Sequence, residues 1–231
     1  MELLEAIKSR KSIRAFKSKK VPERVLMELL GLAIRAPSAV NLQPWEFFVV
    51  RGDILKEVRK AYLEDYRLGR LPDPDIPVGD TRDIAPVLEG VYKGRQVALA
   101  KQIFEIMGIT KANKKREWSE KMMQFYDAPA IIIIVIDKVL HGNWPILDVG
   151  LVTQSIVLAA PEFGLGTCIM RAIVDYPERL RRVVGIPESK RIIIGLAIGY
   201  PDWDHPITGM ETGREKIENI VTFVGDSKKS Q

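Results

Sequence analysis

Seven consecutive residues, Ala130-Ile131-Ile132-Ile133-Ile134-Val135-Ile136, carry no polar side chain. Six of the seven are β-branched, which restricts them in a helix and suits them to a pleated surface. The run shows no alternation of apolar and polar positions. A strand of that kind is covered on both faces and lies centrally in a sheet. The chain must therefore supply layers above and below it. The run is far shorter than the ~20 residues that a membrane-crossing helix needs, and it is the longest apolar run in the sequence.

The other elements read outward from this strand. Leu3, Leu4 and Ile7 share one helical face, which predicts a helix over 2–9. Pro22 to Arg35 reads as a second helix, with an apolar face of Val25, Leu29, Leu32 and Ala33, ending before Pro37. Residues 46–51 read as a strand stopped by Gly52-Asp53, and 54–68 as a helix. Residues 69–90, rich in Pro, Gly and Asp, read as a loop, and about 91–125 as one charged helical stretch. Asp148 to about Ala160 reads as a long apolar helix that Pro161 bends or ends, with Gly164 as its C-cap. Strands at 167–170 and 191–200 flank a helix over 177–184 capped by Gly185. A last strand-like piece covers 218–224. Helices and strands do not alternate strictly, which argues an α+β domain with a mixed sheet. One domain spans 1–225, with about 62–126 as a lid or excursion and 226–231 as a disordered tail.

Composition closes several routes. One cysteine, Cys168, rules out an internal disulfide in 231 residues and fits a reducing, cytoplasmic setting. The opening Met1-Glu2-Leu3-Leu4-Glu5 is unlike a signal peptide. The net charge of +5 comes from dispersed basic residues without interleaved aromatics, which argues against nucleic acid as a partner. His141 and His205 have no metal-ligand spacing. No Ser nucleophile stands in a G-x-S-x-G context. Gly164-Leu165-Gly166 sits between helix and strand in the wrong order for a dinucleotide loop. Asp73-Pro74-Asp75 lacks the glutamate of a calcium loop. An enzyme so equipped needs a cofactor to carry its chemistry. Arg10, Lys11 and Arg14 with Ser12 offer either a phosphate cradle or a charged helix end.

Three motifs together resemble the nitroreductase family of FMN enzymes. They are Arg10-Lys11-Ser12-Ile13-Arg14-Ala15-Phe16, Ala36-Pro37-Ser38-Ala39-Val40-Asn41-Leu42-Gln43-Pro44-Trp45-Glu46-Phe47, and Gly164-Leu165-Gly166-Thr167-Cys168 followed by Ile194-Gly195-Leu196-Ala197-Ile198-Gly199-Tyr200-Pro201. The resemblance covers nearly the whole chain outside 62–126. It implies a mixed, mostly antiparallel sheet surrounded by helices, in an intertwined homodimer whose C-terminal segment, here about 216–224, adds a strand to the partner's sheet. It also implies FMN at the interface, NADH or NADPH as donor, and small electrophilic acceptors such as nitroaromatics or quinones reduced in a ping-pong exchange.

Carried over residue by residue, the resemblance puts Arg10, Lys11 and Ser12 at the FMN phosphate and ribityl chain. Arg14 comes near flavin N1 and O2. Ser38 and Asn41, with Pro37 and Ala39 packing beside them, reach the flavin of the other subunit. Ile169, Met170 and Arg171 face the flavin, largely through backbone groups. Arg171 departs from relatives that carry an acidic or small residue there. Arg214 closes on the phosphate, with Lys216 as the nearby alternative. Gln43, Trp45 and Cys168 read as packing. No metal is implied. Two alternatives stay open: a reductive dehalogenase of the iodotyrosine deiodinase type, whose clamp residue types occur in Lys60 to Arg67, and a non-catalytic flavin-binding redox sensor.

Overall fold

A computed structural model describes residues 2–77 and 88–225. Four strands form the sheet: β1 (Glu46–Arg51), β2 (Ala130–Asp137), β3 (Gly166–Met170) and β4 (Lys190–Gly199), in the order β1-β2-β4-β3. The apolar run is β2, central and completely buried from Ile131 to Ile136. Its alternate residues feed two cores. Ile131, Ile133 and Val135 meet one helical layer, and Ala130, Ile132, Ile134 and Ile136 meet the other. That is how a strand without polar alternation is satisfied.

Seven helices surround the sheet among the described residues: α1 (Leu3–Ser9), α2 (Glu23–Ala33), α3 (Gly52–Arg67), α4 (Gly90–Ile106), α5 (Ala112–Met123), α6 (Trp144–Ala159) and α7 (Pro177–Val184). α2 and α6 cover one face, and α3 and α7 the other, with α5 against α3. In the second layer Tyr62 of α3 is fully buried. Its hydroxyl donates to the Ile173 carbonyl at 2.6 Å, and its ring meets Phe125 and Tyr176 edge-on.

Several expectations change. Among the described residues every strand ladder is antiparallel, and parallel pairing is confined to the single bridge from Ser12 to Thr167. The stretch 91–125 is two helices, because Gly108 adopts φ +59° and turns the chain between them. α6 begins at Trp144 rather than Asp148: Pro145 sits in its first turn, where a missing N–H costs nothing. By length and composition alone Trp144–Phe163 could cross a membrane. In the fold this helix packs its Val149, Val152, Ile156 and Val157 into the core. The segment 218–224 is not a strand in the single chain. Ile217–Asn219 form a 3-10 turn, and Ile220, Val221, Phe223 and Val224 are exposed with no neighbouring strand. The expected tail 226–231 lies outside the described residues, as does part of the expected loop 69–90. Gly164 and Gly185 take the left-handed conformation at their helix ends, as read from the sequence.

Candidate active site

The segment after α1 is laced to one end of the sheet. Ile13 N–H donates to Thr167 O at 2.9 Å, Lys17 N–H to Tyr200 O at 2.9 Å, and Asp202 N–H to Ala15 O at 3.1 Å. Gly166 makes this approach possible, since a Cβ there would lie 2.5 Å from Ile13 Cγ1 and 2.8 Å from Pro201 Cγ. The result is a cleft of about 310 Å³ that includes Arg10, Lys11, Val157, Pro161, Thr167 and Trp203. Lys11 pairs with Glu211 at 3.2 Å, which brings the 211–214 segment to the same side. Arg10 has no ion-pair or hydrogen-bond partner among the described residues.

Arg14 is half-buried and donates to Ser12 O, at 3.3 Å. It lies beside the Tyr126 hydroxyl, which burial pushes up to about 12 against the pull of the guanidinium. Burial likewise pushes the Cys168 thiol up, with Arg14 and Ser12 opposing. That thiol is protonated and packed into the core, as the sequence reading held. Arg214 uses one nitrogen to donate to Thr212 O, Thr212 Oγ1 and Gly213 O of its own loop. Among the described residues Arg10, Arg14 and Arg214 therefore carry no carboxylate partner. Arginines left uncompensated in this way suit an anionic ligand.

The loop 37–43 is held elsewhere. Ala39 N–H donates to Asp148 Oδ1 at 3.1 Å, and Gln43 N–H to Ser38 Oγ at 2.9 Å. Val40, Asn41 and Gln43 all have positive φ (46°, 58° and 48°). For a β-branched residue such as Val40 this conformation is an outlier, and it is kept only because its surroundings impose it. Val40 is 96% exposed, while Trp45, which follows the loop, is buried against α2 and α6. Ala39 sits at Asp148, whereas the Arg10 cleft sits at Val157 and Pro161. Nine residues of helix separate those anchors by about 14 Å. Within one chain the structure thus brings Arg10, Lys11 and Ser12 together and leaves Pro37, Ser38, Ala39 and Asn41 apart from them.

Past β3 the chain forms a 3-10 turn, Arg171–Val174. Ile169 and Arg171 open into a second cleft of about 460 Å³. The Met170 side chain is instead buried in the core, which leaves its backbone to face outward partners. The roof of this cleft is the stretch 74–77. Asp75 pins it by binding Arg181 at 2.7 Å and accepting from Ile192 N–H at 2.7 Å. Ile192 borders the β-bulge where Val135 pairs with it and Ile134 with Ile194. Asp73 N–H donates to Asp175 O at 2.9 Å. These roles of Asp73 and Asp75 replace the metal-loop question raised by their spacing. A third cleft, about 600 Å³, is lined mainly by charged residues. In it Asp65 accepts two 2.7 Å bonds from Arg179 and pairs with Arg70 at 2.8 Å, which holds its carboxyl below the usual range.

Sequence reasoning missed Asp148 and Asp175 as site-building residues. Asp148 had a legible signal, since it is the one charged residue in α6. Asp175 had none. Tyr62, one of the residue types of a deiodinase clamp, is fully buried and bound to Ile173 O.

The fold and these clefts define a class: a three-layer α+β protein whose sheet end carries uncompensated arginines beside an apolar cleft. The sequence pattern of the Nitroreductase family matches residues 7–200. The chain is 29% identical to a 4-nitrobenzoate reductase of Nocardioides sp. (strain LMS-CY), covering 98% of this chain and 92% of that protein. It is 28% identical to a nitrobenzene nitroreductase of Ectopseudomonas oleovorans, covering 95% and 96%. Among solved structures, the FMN and NADPH-dependent nitroreductase NfnB of Sphigopyxis sp. strain HMH superposes with a TM-score of 0.87 at 26% identity, covering 98% of this chain and all of that one. The chain belongs to the nitroreductase family of oxidoreductases.

Proposed function

We propose that this protein is an FMN-dependent oxidoreductase that uses NAD(P)H to reduce nitroaromatic, quinone or related electrophilic acceptors. The observation that carries the reading is the set of arginines without carboxylate partners around the Ser12–Thr167 bridge. Arg10 and Ser12 would hold the phosphate end of FMN, with Lys11 beside them and Arg214 closing from the 211–214 segment. Arg14, fixed by Ser12 O and Tyr126, would set a positive charge near N1 and O2, where reduction builds negative charge. Ile169, the Met170 backbone and Arg171 would face the ring. When bound, FMN supplies the two-electron relay between nicotinamide and acceptor, whose turns at one site make the kinetics ping-pong. For a nitro group the first net step is ArNO2 + NAD(P)H + H+ → ArNO + NAD(P)+ + H2O.

The functional unit in this reading is a homodimer. Loop 37–43, strained and exposed, would complete the partner's site, which accounts for its distance from the Arg10 cleft in its own chain. β1 is an edge strand with one side unpaired, and an exposed edge invites a further strand. The apolar segment 220–224 of the partner chain suits that role. The names of the relatives, which include nitrobenzene and 4-nitrobenzoate reductases, support the acceptor class.

The phosphate assignment is tested by the double substitution Arg10→Ala with Arg214→Ala. Fluorescence titration of FMN should show affinity weakened by at least 100-fold, since two charge-assisted partners are lost. Unchanged affinity would refute the assignment.

A further inference from the structure

The cleft beyond β3 has an unusual lining. Its walls are apolar, with Ile146 and Val149 from α6, Ile169 and Ile193 from the sheet, and Pro74 and Ile76 from the roof. Among the described residues one charged side chain lines it, Arg171. Arg171 is 42% exposed and forms an ion pair with Asp175, Nη1 to Oδ1 at 2.7 Å, that lacks hydrogen-bond geometry. Asp175 is only 1% exposed and lines the neighbouring charged cleft instead. The two charges of this pair therefore open in different directions. The acceptor-side cleft meets the cation, and the carboxylate lies behind it.

The turn that carries this ion pair is braced. Asp175 follows the 3-10 turn that carries Arg171, and its carbonyl accepts from Asp73 N–H at 2.9 Å. Ile173, between the two, has its carbonyl held by Tyr62. With one nitrogen engaged, the remaining guanidinium N–H groups of Arg171 have no partner among the described residues. A guanidinium fork meets a carboxylate through two parallel bonds. Thr153, a polar lining residue, already donates to Val149 O at 2.7 Å, and Gln154 supplies an amide nearby. A volume of about 460 Å³ with apolar walls and one placed charge is the usual make-up of a small-molecule site.

We propose that this cleft binds the electron acceptor and that Arg171 makes the enzyme selective for aromatic acceptors bearing an anionic group, chiefly carboxylates. The inference rests on the oxidoreductase reading for the identity of the ligand as acceptor. Its physical content, an aromatic-carboxylate site built on Arg171, stands on the cleft itself. Arg171 acts as a specificity residue, and Asp175 as the residue that positions it.

Two measurements on the FMN-loaded protein test it. The first compares kcat/KM for 4-nitrobenzoate and for nitrobenzene, a neutral counterpart, in the wild type, Arg171→Ala and Arg171→Lys. The ratio within each variant cancels any loss common to both substrates. The wild type should favour the acid at least 10-fold. Arg171→Ala should lower that ratio by about 10- to 100-fold, chiefly through KM for the acid, as the loss of a charge-assisted bond implies. Arg171→Lys should keep part of the preference. A ratio unchanged in Arg171→Ala overturns the proposal and leaves the oxidoreductase reading standing. The second measurement is calorimetric titration of benzoate, which needs no turnover. Benzoate binding weakened at least 10-fold in Arg171→Ala supports the site even if neither nitro compound is reduced, in which case the activity reading fails alone. No benzoate binding to the wild type overturns the site.

Discussion

Asp175 shows how one residue can cost stability and still be kept. Burial pushes its carboxyl up to about 6, and Arg171 offsets only part of that. An acid whose folded value lies above its unfolded value of about 4 binds its proton more tightly in the native state. Its contribution is most favourable below about pH 4, declines as pH rises from about 4 to 6, and stays unfavourable above. Asp175→Asn removes this penalty, so the variant should be more stable than the wild type at pH 8, by about 3 kcal/mol. The advantage should shrink towards zero at pH 4. Thermal melts at the two pH values check this, and a variant less stable at both would contradict it. What the carboxylate returns is the placement of Arg171, the familiar exchange of stability for function. Arg10, Ser12 and Arg14 were legible in the sequence because they are neighbours in one short motif. The Arg171–Asp175 pair was not, because its burial depends on Asp73 and Tyr62, each about a hundred residues away in the chain.

At the scale of elements, β4 and the turn 171–174 are locked together. A Cβ on Gly195 would lie 2.2 Å from Ile173 Cγ2 and 2.4 Å from Ile173 Cβ. Ile173 is completely buried and cannot easily give way. Gly195→Ala should therefore destabilise the fold by about 1–3 kcal/mol, the usual range for overpacking, and urea denaturation measures it. A change near zero would mean that the turn moves freely, against the fixed Arg171 described above. β2 was legible because burial on both faces leaves its mark as an unbroken apolar run. The break between α4 and α5 was missed because helical composition continues through Gly108, and only its positive φ turns the chain. The early start of α6 was missed because Asp148 resembles a helix-opening acid, whereas its carboxylate is used to hold the backbone of loop 37–43.

At the scale of the whole molecule, a single chain leaves parts unmatched. β1 lacks a neighbour on one side, Phe223 and Val224 are about nine-tenths exposed, and Trp144, Leu147 and Leu151 leave an apolar strip on α6. In the proposed homodimer these surfaces would meet the partner. Sedimentation of the full chain should give a dimer, and a folded monomer that retains FMN would sink the two-chain site. The sheet's four strands and most flanking helices could be read from one sequence, but a mixed sheet was expected where every ladder is antiparallel. The fate of 218–224 could not be read, since a strand needs a neighbour and one chain does not contain it.

In the proposed function this chain holds FMN and passes electrons from a nicotinamide to an acceptor. The most direct test is the visible absorption spectrum of the purified protein during anaerobic titration with NADH and NADPH. The account predicts flavin bands that bleach with at least one of the two nucleotides and return when 4-nitrobenzoate is added. A protein that shows no flavin bands even after incubation with FMN, or whose bands neither nucleotide bleaches, would contradict it.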